Sequence, residues 1–139
     1  LVMVGDGPRR RKMELLKASA PHLSILFTGY LPFDQLPAWY ALTRVFVHPA
    51  RYEPWGVSVH EAIAAGCTVV ASSRVGSGYD LIMDGQNGFQ YPSGDVNALS
   101  QCLRKALLLA RDQVEKANLA ILSQWNYAVL SKEFEGLEG

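Results

Sequence analysis

The chain has 139 residues, of which 13 are Lys or Arg and 13 are Asp or Glu, so its formal net charge is zero. A chain of this length ordinarily folds as one domain around one core, and we expect residues 1–139 to form one. Nucleic-acid binding requires a surplus of basic residues that face phosphates. The balanced charge therefore argues against a nucleic-acid partner.

Cysteine placement and hydropathy indicate the compartment. The two cysteines, Cys67 and Cys102, lie in apolar stretches, which predicts buried thiols and neither a disulfide framework nor a zinc site. Polar residues and glycine interrupt the apolar stretches well short of the roughly 20 residues that a membrane span needs. We expect a cytoplasmic protein without a membrane span, while a membrane-peripheral location of a longer enzyme stays open. The start inside an apolar run at Leu1 suggests such a longer protein.

Short apolar runs rich in β-branched residues predict strands that are buried on both faces of a parallel sheet. These runs are Leu1–Val4, Ser24–Thr28, Val45–His48, Cys67–Ala71 and Phe89–Tyr91. Stretches with helical spacing alternate with them, at Arg9–Ser19, Asp34–Leu42, Val57–Ala65, Asp95–Ala110 and Val114–Ser123. The alternation predicts an α/β fold, a Rossmann-like doubly wound parallel sheet with helices on both faces.

An apolar stripe near the end of the chain predicts one more helix. It begins at Trp125 and continues through Tyr127, Leu130, Phe134 and Leu137 at three- and four-residue intervals. The stripe packs either on the chain's own sheet or on a neighbour outside this chain, and both alternatives stay open.

The loop after the predicted strand Val45–His48 is the candidate functional segment, because open parallel sheets bind ligands beyond the carboxyl ends of their strands. It runs into a helix that starts near Gly56. The unpaired backbone N–H groups of Gly56, Val57 and Ser58 carry the positive end of the helix dipole. The pattern predicts a diphosphate site at these amides.

Two acids accompany these amides. Glu61 shares a helix face with Val57 and Ser58 and lies about 6 Å beyond Val57 along the helix axis. There its carboxylate could accept hydrogen bonds from both hydroxyls of a ribose. Glu53 precedes the helix and could hydrogen-bond the sugar on the diphosphate and stabilise positive charge at its anomeric carbon. We predict a nucleotide-sugar site with Glu53 as its catalytic residue. A capping or surface role is the alternative for Glu61.

The segment EPWGVSVHEAIAAGCTVVASS resembles the signature of family-4 glycosyltransferases of the GT-B fold, in which seven residues separate two glutamates. Three further segments extend the resemblance over nearly the whole chain: LVMVGDGP, LFTGYLPFDQLPAWYALTRVFVHPA and DGQNGFQYPSGDVNAL. The chain departs from the family at residues 74–80, where two glycines and a glutamate are common, so the part that this loop plays toward the sugar stays open.

The resemblance implies that residues 1–139 are the donor-binding, C-terminal half of a two-domain enzyme whose N-terminal acceptor domain lies outside this chain. It implies that Glu61 binds the ribose diol, that Gly56–Ser58 hold the phosphates and that Glu53 contacts the donor sugar. Family members transfer a sugar with retention of configuration, usually without a metal. The basic residues that help the diphosphate to leave lie upstream of this chain, so the chain alone is expected to bind donor and not to turn over.

The resemblance also implies contacts near the start of the chain. Gly29, Tyr30 and Leu31 would hold the nucleotide base, mainly through backbone groups, and Gly5 would lie beside the donor. The nucleotide-diphosphate sugar is the substrate, and no separate cofactor is implied. Arg51, by contrast, is expected at the loop surface.

Two competing interpretations remain. A non-catalytic, regulatory nucleotide-binding module could use the same amides and acids without transferring a sugar. A dinucleotide oxidoreductase is disfavoured, because residues 5–10 lack the last glycine of a Gly-x-Gly-x-x-Gly turn. For His48 and His60 the sequence favours structural roles, although both lie near the candidate site.

Overall fold

A computed structural model describes residues 1–126, and the chain divides into two compact units, Leu1–Pro37 and Ala38–Gly139. The strands form two parallel sheets, one of two strands and one of three. This arrangement confirms the predicted parallel α/β class, with the strands divided between two sheets.

The first unit contains the smaller sheet. Strand β1 (Val2–Val4) pairs in parallel with β2 (Leu26–Gly29), and helix α1 (Arg10–Ala18) connects them. A short 3-10 turn follows at Phe33–Gln35, and helix α2 (Leu36–Ala41) spans the boundary between the units, with residues 38–41 in the second. Within residues 1–37, Gly29 is the one buried residue. This unit therefore has little apolar core of its own.

The second unit contains the larger sheet, in the order β3, β4, β5, with all strands parallel. The strands are β3 (Val45–His48), β4 (Thr68–Ser72) and β5 (Gly88–Tyr91). The helices are α3 (Val57–Ala64), α4 (Ser77–Leu81), α5 (Val96–Leu108) and α6 (Arg111–Gln124). Strand β4 lies in the centre, and all of its residues are buried.

Two apolar clusters show how the helices cover this sheet. Val69 and Ala71 of β4 belong to one cluster with Val59 of α3, whereas Val70 belongs to a second cluster with Ala106 of α5. Successive side chains of a strand point to opposite faces. Helices α3 and α5 therefore pack on opposite faces of the sheet, which is the predicted doubly wound arrangement.

Most element boundaries agree with the prediction to within one to three residues, but helix α4 was not predicted, because the sequence at residues 74–80 suggested a loop. Because glycine weakens a helix, Gly76 and Gly78 led to the prediction of a loop at these residues. Tertiary contacts hold the segment in place: Gly76 N donates to Glu53 O at 3.0 Å. A Cβ atom at Gly76 would collide with the carbonyl of Pro54.

The helix predicted from Trp125 onward is described only at residues 125 and 126, which are not helical. Helix α6 starts three residues before the predicted Val114 and runs to Gln124, and Trp125 caps its end, with its N–H donating to Ile121 O at 3.0 Å. Trp125 continues the buried face of α6 and packs against Trp55, with 5.4 Å between ring centroids. The rest of the predicted stripe, Tyr127, Leu130, Phe134 and Leu137, lies outside the described residues.

Of the two thiols that the sequence predicts to be buried, only Cys67 is fully so. Both are free thiols; Cys67 is fully buried and Cys102 is half-buried. In residues 1–126, no helix has the length and apolar character that crossing a membrane requires. Within the same range, no group of three or more His, Cys, Asp or Glu side chains is placed to hold a metal ion.

Candidate functional site

The start of α3 depends on the backbone conformation of Gly56. This buried residue is the N-cap of the helix and has φ +95° and ψ +67°, in the left-handed region that side chains disfavour. A Cβ atom at this position would lie 3.0 Å from Val75 Cγ1 and 3.2 Å from Glu53 Cγ. The hydroxyl of Ser77 donates to Gly56 O at 3.2 Å. Conformation and crowding together require glycine where the loop becomes a helix.

The first amides of α3 are unpaired. Within residues 1–126, the backbone N–H groups of Gly56, Val57 and Ser58 donate to no protein acceptor, and Val59 N is the first that does, to Gly56 O at 2.9 Å. Val57 is 61% exposed, so solvent reaches this end of the helix. Unpaired donors at the positive end of a helix dipole suit an anion. These amides remain available as the sequence predicts.

Glu53 is held in place by its backbone. Its N–H donates to Arg74 O at 2.9 Å, and its carbonyl accepts from Gly76 N at 3.0 Å, so the loop after β4 fixes the loop after β3. Glu53 Oε1 accepts from Trp55 N at 3.3 Å, and Glu53 Oε2 lies 3.9 Å from His48 Nε2. The carboxylate is therefore anchored through one oxygen and keeps the other without a hydrogen bond from residues 1–126.

His48 lies between two of the predicted site residues. It ends β3 and stacks on Phe46, and its Nδ1 lies 3.4 Å from Ser58 Oγ while its Nε2 faces Glu53. Burial lowers the pKa of His48, and the charge of Glu53 opposes that shift in part. The sequence favoured a structural role, whereas the structure brings the ring into contact with the site. The signal that could have found it is its position at the carboxyl end of a parallel strand.

Glu61 has a partner that the sequence did not reveal. The hydroxyl of Tyr40, in α2, donates to Glu61 Oε2 at 2.9 Å, whereas Glu61 Oε1 accepts no hydrogen bond from the described part of the chain. Burial and the nearby Glu61 carboxylate raise the pKa of Tyr40. A tyrosine hydroxyl in an apolar setting usually finds a polar partner, which was the available signal. Tyr40 orients the carboxylate and leaves one oxygen free.

In the first unit, the structure brings together two of the residues that the resemblance assigned to the donor. Gly5 N donates to Gly29 O at 2.8 Å, and both glycines have positive φ values. Tyr30 is 81% exposed, and Leu31 is half-buried. The predicted contacts of Gly5, Gly29, Tyr30 and Leu31 with a nucleotide stay a prediction.

A cavity of about 420 Å³ lies at the opposite end of the larger sheet. Its lining includes Thr43 and Arg44, just before β3, and Gly66 and Thr68 at the start of β4. Open parallel sheets bind ligands at the carboxyl ends of their strands, so this cavity lies at the wrong end. The candidate site is instead an open surface formed by backbone amides and two carboxylates.

Parallel strands, helices on both faces of the larger sheet and a glycine-led helix after β3 define a Rossmann-like α/β protein. A profile of the family described as "Glycosyl transferases group 1" matches residues 1–108. The chain belongs to this family of glycosyltransferases.

Curated relatives agree with this assignment. A sulfoquinovosyl transferase from Arabidopsis thaliana is 36% identical over 116 residues, which cover 81% of this chain and 21% of the relative. A 2-deoxystreptamine N-acetyl-D-glucosaminyltransferase from Streptomyces fradiae is 36% identical over 106 residues, which cover 76% of this chain and 25% of the relative. The chain thus spans a fifth to a quarter of the length of these relatives.

Solved glycosyltransferases have the same fold. Sucrose-phosphate synthase from Thermosynechococcus elongatus superposes with a TM-score of 0.81 at 26% identity, over 99% of this chain and 37% of that one. HepE from Anabaena, solved with UDP-glucose, gives a TM-score of 0.71 at 22% identity, over 99% of this chain and 40% of HepE. At 22% identity, the similarity to HepE shows a common fold and nothing more.

Proposed function

We propose that this chain binds the nucleotide-diphosphate sugar in the C-terminal half of a family-4 retaining glycosyltransferase of the GT-B fold. The observation that carries the proposal is the row of unpaired amides at residues 56–58, with the Glu53 carboxylate before them and Glu61 one helical turn after Val57. Membership of the glycosyltransferase family supports the same conclusion.

In this proposal the diphosphate lies at the start of α3. The amides of residues 56–58 donate to its oxygens, and the helix dipole adds a favourable charge at no cost in reorganisation. The ribose lies further along the helix and donates its hydroxyls to Glu61. Because Tyr40 already holds Oε2, the carboxylate is oriented before the ligand arrives, and Oε1 is free to accept.

The transfer step places charge where these groups can stabilise it. The bond between the anomeric carbon and the diphosphate oxygen breaks, and negative charge accumulates on the leaving diphosphate, where the amides stabilise it. The acceptor hydroxyl attacks the same face, and its proton passes to a diphosphate oxygen, so configuration is retained. Glu53 stabilises positive charge at the anomeric carbon. We propose that neither a metal nor a further cofactor takes part.

Catalysis in this proposal needs an N-terminal acceptor domain, which supplies the acceptor site, and it needs the basic residues upstream of this chain that assist the leaving group. The chain spans only a fifth to a quarter of the length of the relatives described above, which supports an additional domain in the full enzyme. We therefore propose that the 139-residue chain binds donor without turning it over and that the full enzyme is cytoplasmic or membrane-peripheral.

Calorimetric titration of the chain with UDP, GDP and ADP, and with UDP-glucose and GDP-mannose, tests the proposal. We expect one nucleoside diphosphate and its sugar conjugate to bind. Glu61→Ala should lose about 1–3 kcal/mol of that binding, the scale of a hydrogen bond to a charged group. The exposed Glu115 of α6 provides the control, and Glu115→Ala should bind as the unchanged chain does. Unaltered affinity in a folded Glu61→Ala variant would contradict the proposal.

A further inference from the structure

The side chain of His48 connects two parts of the proposed donor site. It extends from the carboxyl end of β3, its ring stacks on Phe46 at 6.1 Å between centroids, and its side chain is only 21% exposed. Nδ1 lies 3.4 Å from Ser58 Oγ, in the first turn of α3, and Nε2 lies 3.9 Å from Glu53 Oε2. Each ring nitrogen therefore faces a different residue of the site.

The direction of the hydrogen bond between Ser58 and Nδ1 is linked to which ring nitrogen carries the proton. In a neutral imidazole one nitrogen donates and the other accepts. When the Ser58 hydroxyl donates to Nδ1, the hydrogen lies on Nε2. In residues 1–126 that buried nitrogen has no hydrogen-bond partner. A buried donor without an acceptor is rare in proteins, and the carboxylate that faces it is Glu53.

The carboxylate of Glu53 is able to complete this pair. Trp55 N holds Oε1 at 3.3 Å, so a rotation about this anchor can move Oε2. A shift of about 1 Å would bring Oε2 within ordinary hydrogen-bond distance of Nε2. The carboxylate would then be held through both oxygens, by Trp55 and by His48.

We infer that His48 is a positioning residue whose Nε2–H group holds the Glu53 carboxylate in the orientation that a donor sugar requires. The inference rests on the proposed function, in which Glu53 contacts the sugar. His48 acts through Glu53 and not through the diphosphate, so its loss should weaken binding of the sugar part and spare the nucleotide part.

The test compares affinity for a nucleoside diphosphate with affinity for its sugar conjugate, UDP with UDP-glucose and GDP with GDP-mannose, in three variants. An Asn side chain can take the place of Nδ1, and a Gln side chain can take the place of Nε2. The affinity gained from the sugar is the ratio of the affinity for the conjugate to the affinity for the nucleoside diphosphate. We expect His48→Asn to reduce this ratio roughly tenfold, the scale of one such hydrogen bond. His48→Gln should keep most of that gain, and the nucleoside diphosphate should bind both variants equally well. His60→Asn, in the neighbouring helix, is the matched control and should change neither affinity.

A double-mutant cycle with Glu53→Ala separates positioning from a general structural effect, because alanine has no acceptor for His48 Nε2–H. If His48 acts through Glu53, His48→Asn should cause little further loss in the Glu53→Ala background. Fully additive losses, or equal weakening of nucleotide and conjugate by His48→Asn, would overturn the inference while leaving the proposed function intact. Absence of binding of UDP, GDP, ADP and both sugar conjugates to the unchanged chain would overturn the proposed function and this inference together.

The tautomer gives a readout that is independent of binding. Nitrogen-15 chemical shifts of the His48 ring distinguish a proton on Nε2 from one on Nδ1. We expect the Nε2–H form in the free chain at neutral pH. A dominant Nδ1–H form would overturn the inference, because Nε2 would then have no proton to donate to Glu53.

Discussion

At the scale of single residues, the site combines side chains that are held at one end and free at the other. Glu61 accepts from Tyr40 through one oxygen, and Glu53 accepts from Trp55 through one oxygen. A carboxylate that is oriented in advance loses less conformational entropy when it binds a ligand. The free oxygens and the unpaired amides at residues 56–58 then account for where a ligand with both hydroxyl and phosphate groups would bind.

The buried imidazole of His48 should make stability depend on pH. Burial lowers its pKa below the ordinary value of about 6.5, so the folded chain binds this proton less readily than the unfolded chain does. Its contribution to stability is complete above about pH 6.5 and is lost as the pH falls from there through the lowered pKa. In urea unfolding, we expect the free energy of unfolding of His48→Gln to fall less steeply with decreasing pH than that of the unchanged chain. Substitution of the exposed His22 provides a control. If the free energy of unfolding of His48→Gln falls with pH as steeply as that of the unchanged chain, His48 is not the source of the pH dependence.

Gly56 should tolerate alanine less well than another glycine with a similar backbone does. Gly56 and Gly94 have φ values of +95° and +88°, but a Cβ atom at Gly94 would meet nothing within 4 Å. We expect Gly94→Ala to cost about 1–2 kcal/mol from the left-handed conformation. Gly56→Ala should cost a further ~1–3 kcal/mol from crowding against Val75 and Glu53. Denaturant unfolding measures both, and equal losses would show that the loop relaxes around the new methyl group.

At the scale of elements, helix α5 carries a local start signal that the sequence shows. The side chain of Asp95 accepts from Ala98 N at 2.9 Å and caps α5 as predicted. Helix α4 has no such signal, and its N-cap, Gly76, makes no side-chain cap. Helix α4 is nevertheless formed, because its first residues are hydrogen-bonded to the loop after β3. Ser77 N, for example, donates to Trp55 O at 2.8 Å.

Removing the cap of α5 should destabilise the second unit by an amount typical of such caps. Asp95→Ala leaves Ala98 N without its acceptor, and we expect a loss of about 1 kcal/mol in the free energy of unfolding. Asp95→Asn keeps an acceptor oxygen at the same place and should lose only a fraction of that. Thermal or urea unfolding of the two variants decides the point, since equal losses would mean that charge and not capping matters.

At the scale of the whole molecule, the two units differ in how much apolar surface they bury. The central strand of the larger sheet is buried throughout, whereas within residues 1–37 only Gly29 is buried. Backbone amides in a buried sheet become accessible to solvent only through large unfolding events. We expect amide hydrogen exchange to be slowest in β4 and clearly faster in β1 and β2. Equal protection of β2 and β4 in exchange measured by NMR would contradict this expectation.

The sequence by itself determined the features that depend on neighbours along the chain. The alternation of strands and helices, the cap at Asp95 and the spacing from Gly56 to Glu61 on one helix are local patterns. The backbone follows such patterns wherever hydrophobic periodicity and capping agree. The fold class and the available amides of α3 could therefore be predicted without coordinates.

Only the tertiary structure decided which distant residues meet. The contacts between Tyr40 and Glu61 and between Gly76 and the loop after β3 join segments with no common period. Helix α4, the division of the strands between two sheets and the end of α6 at Trp125 were decided in the same way. Gly76 reaches the loop after β3 because packing brings the ends of neighbouring parallel strands to one edge, and Tyr40 reaches Glu61 because its ring packs against the apolar cluster that contains Val59. Spacing along the chain does not encode which side chains become partners in this way.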